Sequence, residues 1–289
     1  MQLPKNFTPP TVATTFSEDD AGVIQASTEQ IDTSVLRAQL AADSYCRKVV
    51  PGGKWDCPHC SSAVEDANIE LTFTTAQDDT NGFIITSKSQ EMIFLVFRGT
   101  NSIRSAVVDM KFIKKKYPSV GKGTEVHAGF YDSYVSVQEK VLTTMGQLFT
   151  KYPDYKIDIT GHSLGAAQAV LGAMDLYQRN SHVTPSNTKL YTYGEPRVGN
   201  QDFAAYAKST KIPKIRTVHA ADMVPHLPPM SLGFVHSGDE HWIKDDKSNA
   251  TEICSAEFES NACANSAVPF LSFLDHLTYY DINEGLCLK

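Results

Sequence analysis

The chain has 289 residues, with 26 Lys and Arg against 33 Asp and Glu, for a net charge of −7. Hydrophobic residues make up 42% and charged residues 20%, which excludes a disordered or collagen-like chain. The acidic balance argues against nucleic acid as a partner, since that needs a basic footprint, and leaves neutral lipids and small neutral substrates open.

Residues 1–22 are rich in Pro, Thr, Ser and Asp and read as a loose leader or pro-segment remnant. Over residues 28–45, Ile31, Val35, Leu36, Leu40 and Ala41 recur at helical spacing. A Gly/Pro-rich turn containing C-P-H-C follows. Residues 71–75, 83–86 and 92–97 read as strands separated by polar turns. A short amphipathic helix comes next, with Ile103, Ala106, Val107 and Met110 at i, i+3, i+4 and i+7. Lys114, Lys115 and Lys116 after it read as a solvated rim. A long helix is expected over residues 126–151, ending before Pro153. Residues 156–160 form a strand, 164–177 a helix, and 190–193 and 215–219 further strands. This alternation predicts an α/β protein with a largely parallel sheet. No repeat or later linker divides the chain, so residues 23–289 are expected to form one domain. No apolar run approaches the ~20 residues of a membrane span.

Gly161-His162-Ser163-Leu164-Gly165 lies between the strand and the helix, where a nucleophilic serine on a tight turn belongs. The helix N-terminus would stabilise negative charge developing there, with the Leu164 N–H as one donor. A serine hydroxyl needs a base to remove its proton and an acid to orient that base. Chain order places both after Ser163. Asp222, where a strand finishes and a loop opens, leads the acids; Asp175 is too far along the helix, and Asp202, Asp239, Asp245 and Asp246 sit in polar loops. Among His226, His236, His241 and His276, the last leads because it lies alone in an apolar segment. Asp275 beside it is a poor orienter, because adjacent side chains diverge.

Six cysteines allow many pairings. With the sequons at Asn6 and Asn249, they favour a secreted protein. Cys57-Pro58-His59-Cys60 also matches a pattern of disulfide oxidoreductases, but the turn-rich segment before it favours a structural loop. No second Cys/His pair supports a metal site, and no cofactor motif is present.

The stretches IFLVFRGTNSIRS, VHAGFYDSY, YKIDITGHSLGAAQAV, GEPRVGN, DMVPHLPP and DHLTYYDINEGLC occur in one order. Together they resemble the secreted class 3 triacylglycerol lipases of filamentous fungi, of the Rhizomucor and Rhizopus type. The resemblance runs from about residue 26 to the end. It implies an α/β-hydrolase-like fold with a mixed, largely parallel central sheet and a short helical lid. It implies Ser163, Asp222 and His276 as the catalytic triad, with Thr100 and Leu164 as oxyanion donors. The pairs Cys46–Cys287, Cys57–Cys60 and Cys254–Cys263 are implied as disulfides. The amphipathic helix, beside Thr100, becomes the lid, with Ile103, Ala106, Val107 and Met110 as its apolar face. Two departures stand out: Ala166 replaces the family's usual glycine, and Ala106 stands where some relatives carry Trp. The function implied is hydrolysis of water-insoluble acylglycerols at an oil–water interface by a monomer without cofactor. A phospholipase or a feruloyl-type esterase is the rival on the same fold.

Overall fold

A computed structural model of the chain describes residues 21–75, 80–100, 103–118, 120–121, 123–244 and 250–287. Asn6, Asn249 and residues 1–20 lie outside them, as do the side chains of Ile103 and Ala106.

Nine strands form the central sheet among the described residues. In chain order they are β1 (Ala21–Gln25), β2 (Asn68–Thr74), β3 (Asn81–Ser87), β4 (Met92–Arg98), β5 (Lys156–His162), β6 (Thr188–Tyr193), β7 (Lys214–His219), β8 (Glu240–Ile243) and β9 (Thr251–Ser255). Their spatial order is β1-β9-β8-β7-β6-β5-β4-β3-β2. Strands β4 to β8 run parallel, and the pairs at both edges are antiparallel. The fold is of the α/β-hydrolase type, with a mixed sheet. β1 begins at Ala21, two residues inside the segment read as the leader, and pairs with β9.

Alternation along the strands divides the core into two layers. Ile93, Leu95 and Phe97 of β4 face one side, with Ile157 and Ile159 of β5. There they meet α3 (Ala128–Lys151) and α4 (Leu164–Arg179), which come after the short helix α2 (Ile103–Val108). Met92, Phe94 and Val96 face the other side. That side also receives α1 (Thr28–Asp43), which starts in a capping box between Ser27 and Gln30. Asp158 of β5 points to the same side and binds Arg37 of α1 at 2.6 Å, so a guanidinium meets this carboxylate in the core. Helix α5 (Gln201–Ser209) carries Asp202 in its first turn, so that residue is helical rather than in a polar loop; a carboxylate there suits the helix dipole.

Candidate active site

The turn from β5 into α4 is forced by close approach of backbones. A Cβ on Gly161 would lie 2.4 Å from the Gly165 carbonyl oxygen, and one on Gly165 2.4 Å from the Phe97 oxygen. Both positions therefore admit only glycine. Ser163 between them takes φ 58° and ψ −127°, a region that costs a non-glycine residue about 1–3 kcal/mol. The surrounding structure holds it there: the Ser163 N–H donates to the Tyr193 oxygen at 2.9 Å. Ala166 is fully buried, so the sheet accommodates its methyl group. Leu164 opens α4, and its N–H has no acceptor within the helix.

Asp222 and His276 come from separate loops and meet. The His276 Nδ1–H donates to Asp222 Oδ2 at 2.8 Å, and both side chains are fully buried. The Tyr279 hydroxyl donates to the same carboxylate oxygen, while Asp222 Oδ1 accepts from the Val224 N–H at 2.9 Å. With the carboxylate at Nδ1, the neutral ring carries its proton there and presents a bare Nε2. That Nε2 is buried and has no hydrogen-bond partner among the described residues. The ring is held against the elbow through His162, whose ring centroid lies 4.5 Å from that of His276. His162 Nε2–H donates to the His276 carbonyl at 2.9 Å, and Tyr45 donates to His162 Nδ1 at 2.9 Å. Burial, followed by the neighbouring His276, pushes the His162 pKa well below the usual range, so His162 stays neutral.

The competing acids are occupied elsewhere. Asp175 accepts from Tyr134, Gln138 and Arg179. Asp275 accepts from the Ala221 N–H and from Ser272, so it fastens the two loops without touching the imidazole of His276. Among the histidines, His236 bonds the Pro225 carbonyl at 2.8 Å, and burial lowers its pKa to about 4. His241 lies in β8 and is likewise pushed down to about 4 by burial.

A cleft of about 190 Å³ opens above the serine. Ser163, Thr100 and Leu164 line its floor, and Val107 and Met110 from the α2 segment line its roof, with Phe130, Pro196 and Val224 on the walls. His127 also lines it, stacked on Phe130 with ring centroids 4.0 Å apart; burial lowers its pKa to about 4, which keeps this wall uncharged.

The class 3 lipase family model matches residues 94–232. A lipase of Rhizopus niveus is 50% identical over 290 residues, covering 100% of this chain and 74% of that protein. The chain belongs to the class 3 lipases. A Rhizomucor miehei lipase is 47% identical over 268 residues, covering 93% of this chain and 73% of its own. The solved lipase II of Rhizopus niveus superposes with a TM-score of 0.90 at 51% identity, covering 92% of this chain and all of the other. Another solved relative, at TM-score 0.90 and 48% identity over 92% of this chain and all of its own, is a triacylglycerol lipase whose catalytic centre is described as a serine protease triad.

Some residues around the lipase site escaped the sequence reading. Gly194 has φ +56°, and a Cβ there would lie 2.6 Å from His276 Cε1. Its signal is the G-E-P-R that directly follows β6. Arg197 holds the loop carrying Asp222, donating to the His226 and Pro228 carbonyls while Glu259 pairs with its guanidinium at 2.8 Å. Lys214 pairs with Glu195 at 2.7 Å. Burial alone would raise the Glu195 pKa, but Lys214 and His236 hold it down to about 2.

The three disulfides of the lipase lie away from this cleft: Cys46–Cys287, Cys57–Cys60 and Cys254–Cys263. The C-P-H-C loop has a turn before it and only the one-turn helix Cys60–Ala63 after it. No helix of the described residues is long and apolar enough to cross a membrane.

Proposed function

We propose that this lipase is a secreted, monomeric hydrolase of triacylglycerols, with Ser163 as nucleophile, His276 as base and Asp222 as the acid that orients it. The observation that carries the reading is the Asp222–His276 hydrogen bond, which leaves Nε2 bare on a ring packed against His162, the residue before the strained serine. His276 Nε2 takes the Ser163 proton as Oγ attacks the ester carbonyl. It then returns that proton to the leaving diacylglycerol, and water repeats the cycle on the acyl-enzyme. The negative oxygen of each tetrahedral intermediate is met by the N–H groups of Leu164 and Thr100. Asp222 offsets the charge on the imidazolium, and the Tyr279 and Val224 donors keep that carboxylate in place. The unit that performs this is a single domain that starts at β1, with Ala21, rather than at residue 23.

The preference for insoluble esters rests on what surrounds the cleft. Val107, in a helix of only six residues, and Met110, two residues beyond the end of that helix at Val108, line the cleft with Ser163, while Val108 and Ile113 are exposed. Phe270 and Leu274, on the loop before His276, are 84% and 74% exposed. Met230 and Leu232 add to this rim, and Lys114 ties it to the lid segment by donating to the Leu232 carbonyl at 2.8 Å. Transfer of such side chains into oil is favourable by roughly 25 cal/mol per Å². That gain would stabilise the open lid, with Val107 and Met110 turned outward. A relative in complex with an inhibitor is presented as a model for interfacial activation, at TM-score 0.88.

Hydrolysis of emulsified trioctanoin, phosphatidylcholine and methyl ferulate tests the reading. Trioctanoin is expected to be cleaved fastest, with a rise in rate where a short-chain ester passes its solubility limit. Faster cleavage of methyl ferulate or phosphatidylcholine would overturn the substrate class, and a smooth hyperbola through the limit would remove the lid.

A further inference from the structure

At the end of α1 and on the C-terminal segment, two buried acids have no hydrogen-bonding side-chain partner among the described residues. Asp43, the last residue of α1, is fully buried, and no side chain among the described residues hydrogen-bonds its carboxyl group. Burial pushes its pKa up to about 8, against a weaker downward pull from the His59 backbone N–H. The group therefore carries its proton at neutral pH. Glu284 on the C-terminal segment is equally buried and unpartnered, and burial followed by repulsion from Asp43 raises it as well.

An Asp43 carboxyl oxygen and the sulfurs of Cys57 and Cys60 all lie within 4.8 Å of one another. The two sulfurs differ in access. Cys57 is half-buried and opens onto a cleft of about 520 Å³ that it shares with Arg47, Lys48, Asp56, Pro58 and the Cys46–Cys287 disulfide. Cys60 is 1% exposed. A nucleophile from solvent therefore attacks Cys57 Sγ, and Cys60 Sγ is the leaving group. A thiolate released into an apolar interior is costly unless it is protonated at once. Asp43 carries a proton within 4.8 Å of that sulfur.

We propose that Cys57–Cys60 is a thiol–disulfide exchange site for small thiols, with Asp43 as the acid that protonates the departing Cys60. The reagent thiolate forms a bond to Cys57 Sγ, and the Cys57–Cys60 bond breaks with its electron pair on Cys60. The Asp43 proton passes to Cys60, leaving a thiol and a carboxylate. With a dithiol reagent, the second sulfur loses its proton to solvent and attacks the reagent sulfur of the mixed disulfide. Cys57 leaves as a thiolate near Arg47 and Lys48, and the reagent departs as a cyclic disulfide. The protein disulfide is reduced and the dithiol oxidised. In reoxidation Asp43 takes the proton back. The loop lacks the long helix that stabilises a thiolate in oxidoreductases, and a buried acid replaces it by taking the negative charge from Cys60 onto its own carboxyl group.

Limiting dithiothreitol added to the folded, full-length enzyme, followed by alkylation and peptide mass mapping, reads the order of opening. Cys57 and Cys60 are expected to be alkylated at least about tenfold faster than Cys254 and Cys263, and Asp43→Asn to slow that opening about tenfold while changing Cys46–Cys287 by less than about twofold. The wild-type enzyme supplies a second measurement. Its opening rate per reagent thiolate should fall as pH rises through about 8. The groups facing Asp43 are Glu284 from the C-terminal segment and His59 from the loop, with Arg47, Lys48 and Asp56 on the rim. Loss of the Glu284 proton acts in the same direction. Opening no faster than Cys254–Cys263, a wild-type rate in Asp43→Asn, or a rate per thiolate that stays flat through pH 8 would each overturn the proposal.

Discussion

The elbow and the lid face each other across one cleft and are built on opposite terms. At the elbow, glycine backbones touch at distances that admit no methyl group, and Ser163, His276 and Asp222 are all at least nine-tenths buried. In the lid, Val107 and Met110 are half-buried and Val108 is 77% exposed. Catalytic geometry needs a position fixed by its surroundings, because a small displacement of a reacting group is costly. A cover that must leave needs few contacts to lose.

The largest effect expected from breaking this contrast is chemical. Ser163→Ala should lower kcat by at least about 10⁴-fold with the fold intact, because the residual rate reflects binding and oxyanion donors alone. Circular dichroism and trioctanoin hydrolysis check both halves of that statement. Gly165→Ala should destabilise the protein by about 3 kcal/mol or more, since its methyl must displace the β4 backbone; a denaturant midpoint close to wild type would show that the elbow has room after all.

Beside the elbow, Glu195 gives a pH signature. Its pKa is depressed from 4.5 to about 2, so its contribution is fully present above about pH 4.5 and is lost as pH falls toward 2. That contribution is on the order of 3 kcal/mol, and thermal melts of Glu195→Gln should be flatter across this window than those of wild type. Gly194→Ala should cost about 100-fold in kcat by pushing His276 out of line, and slowed labelling by a fluorophosphonate would locate the fault at the base. The smallest effects belong to the lid. Val107→Ser with Met110→Ser should change stability by no more than about 1–2 kcal/mol. Hydrolysis of a dissolved short-chain ester should stay within a few-fold while cleavage of emulsified substrate falls further.

The parallel strands β4 to β7 were readable because they are uninterrupted apolar runs, as in β4, or strict alternations, as in β5. Strands β1, β8 and β9 escaped that reading. They are short, and β8 carries Glu240, which looks like a loop residue until its register places it opposite Arg216 of β7, at 2.9 Å. Neither charge could be buried alone, and no local pattern announces a partner 24 residues away. The same reason separates the candidate site residues. The elbow is legible because a strand, two glycines, a serine and a helix lie within a few positions. The choice of Asp222 over Asp175, or of His276 over His236, depends on where distant carbonyls, hydroxyls and guanidinium groups finish.

The sequence by itself determined the α/β alternation, the strand–serine–helix turn and the family, since each is written in short-range spacing or in ordered motifs. Only the tertiary structure decided which charges are paired and which are left alone. Glu195 beside Lys214 and Asp43 beside Glu284 are all buried carboxyl groups, and sequence composition treats them alike. The first is ionised because a cation lies within 2.7 Å, and Asp43 is protonated because nothing does. Burial penalises the charged form in both places, and the neighbour that folding brings decides the outcome.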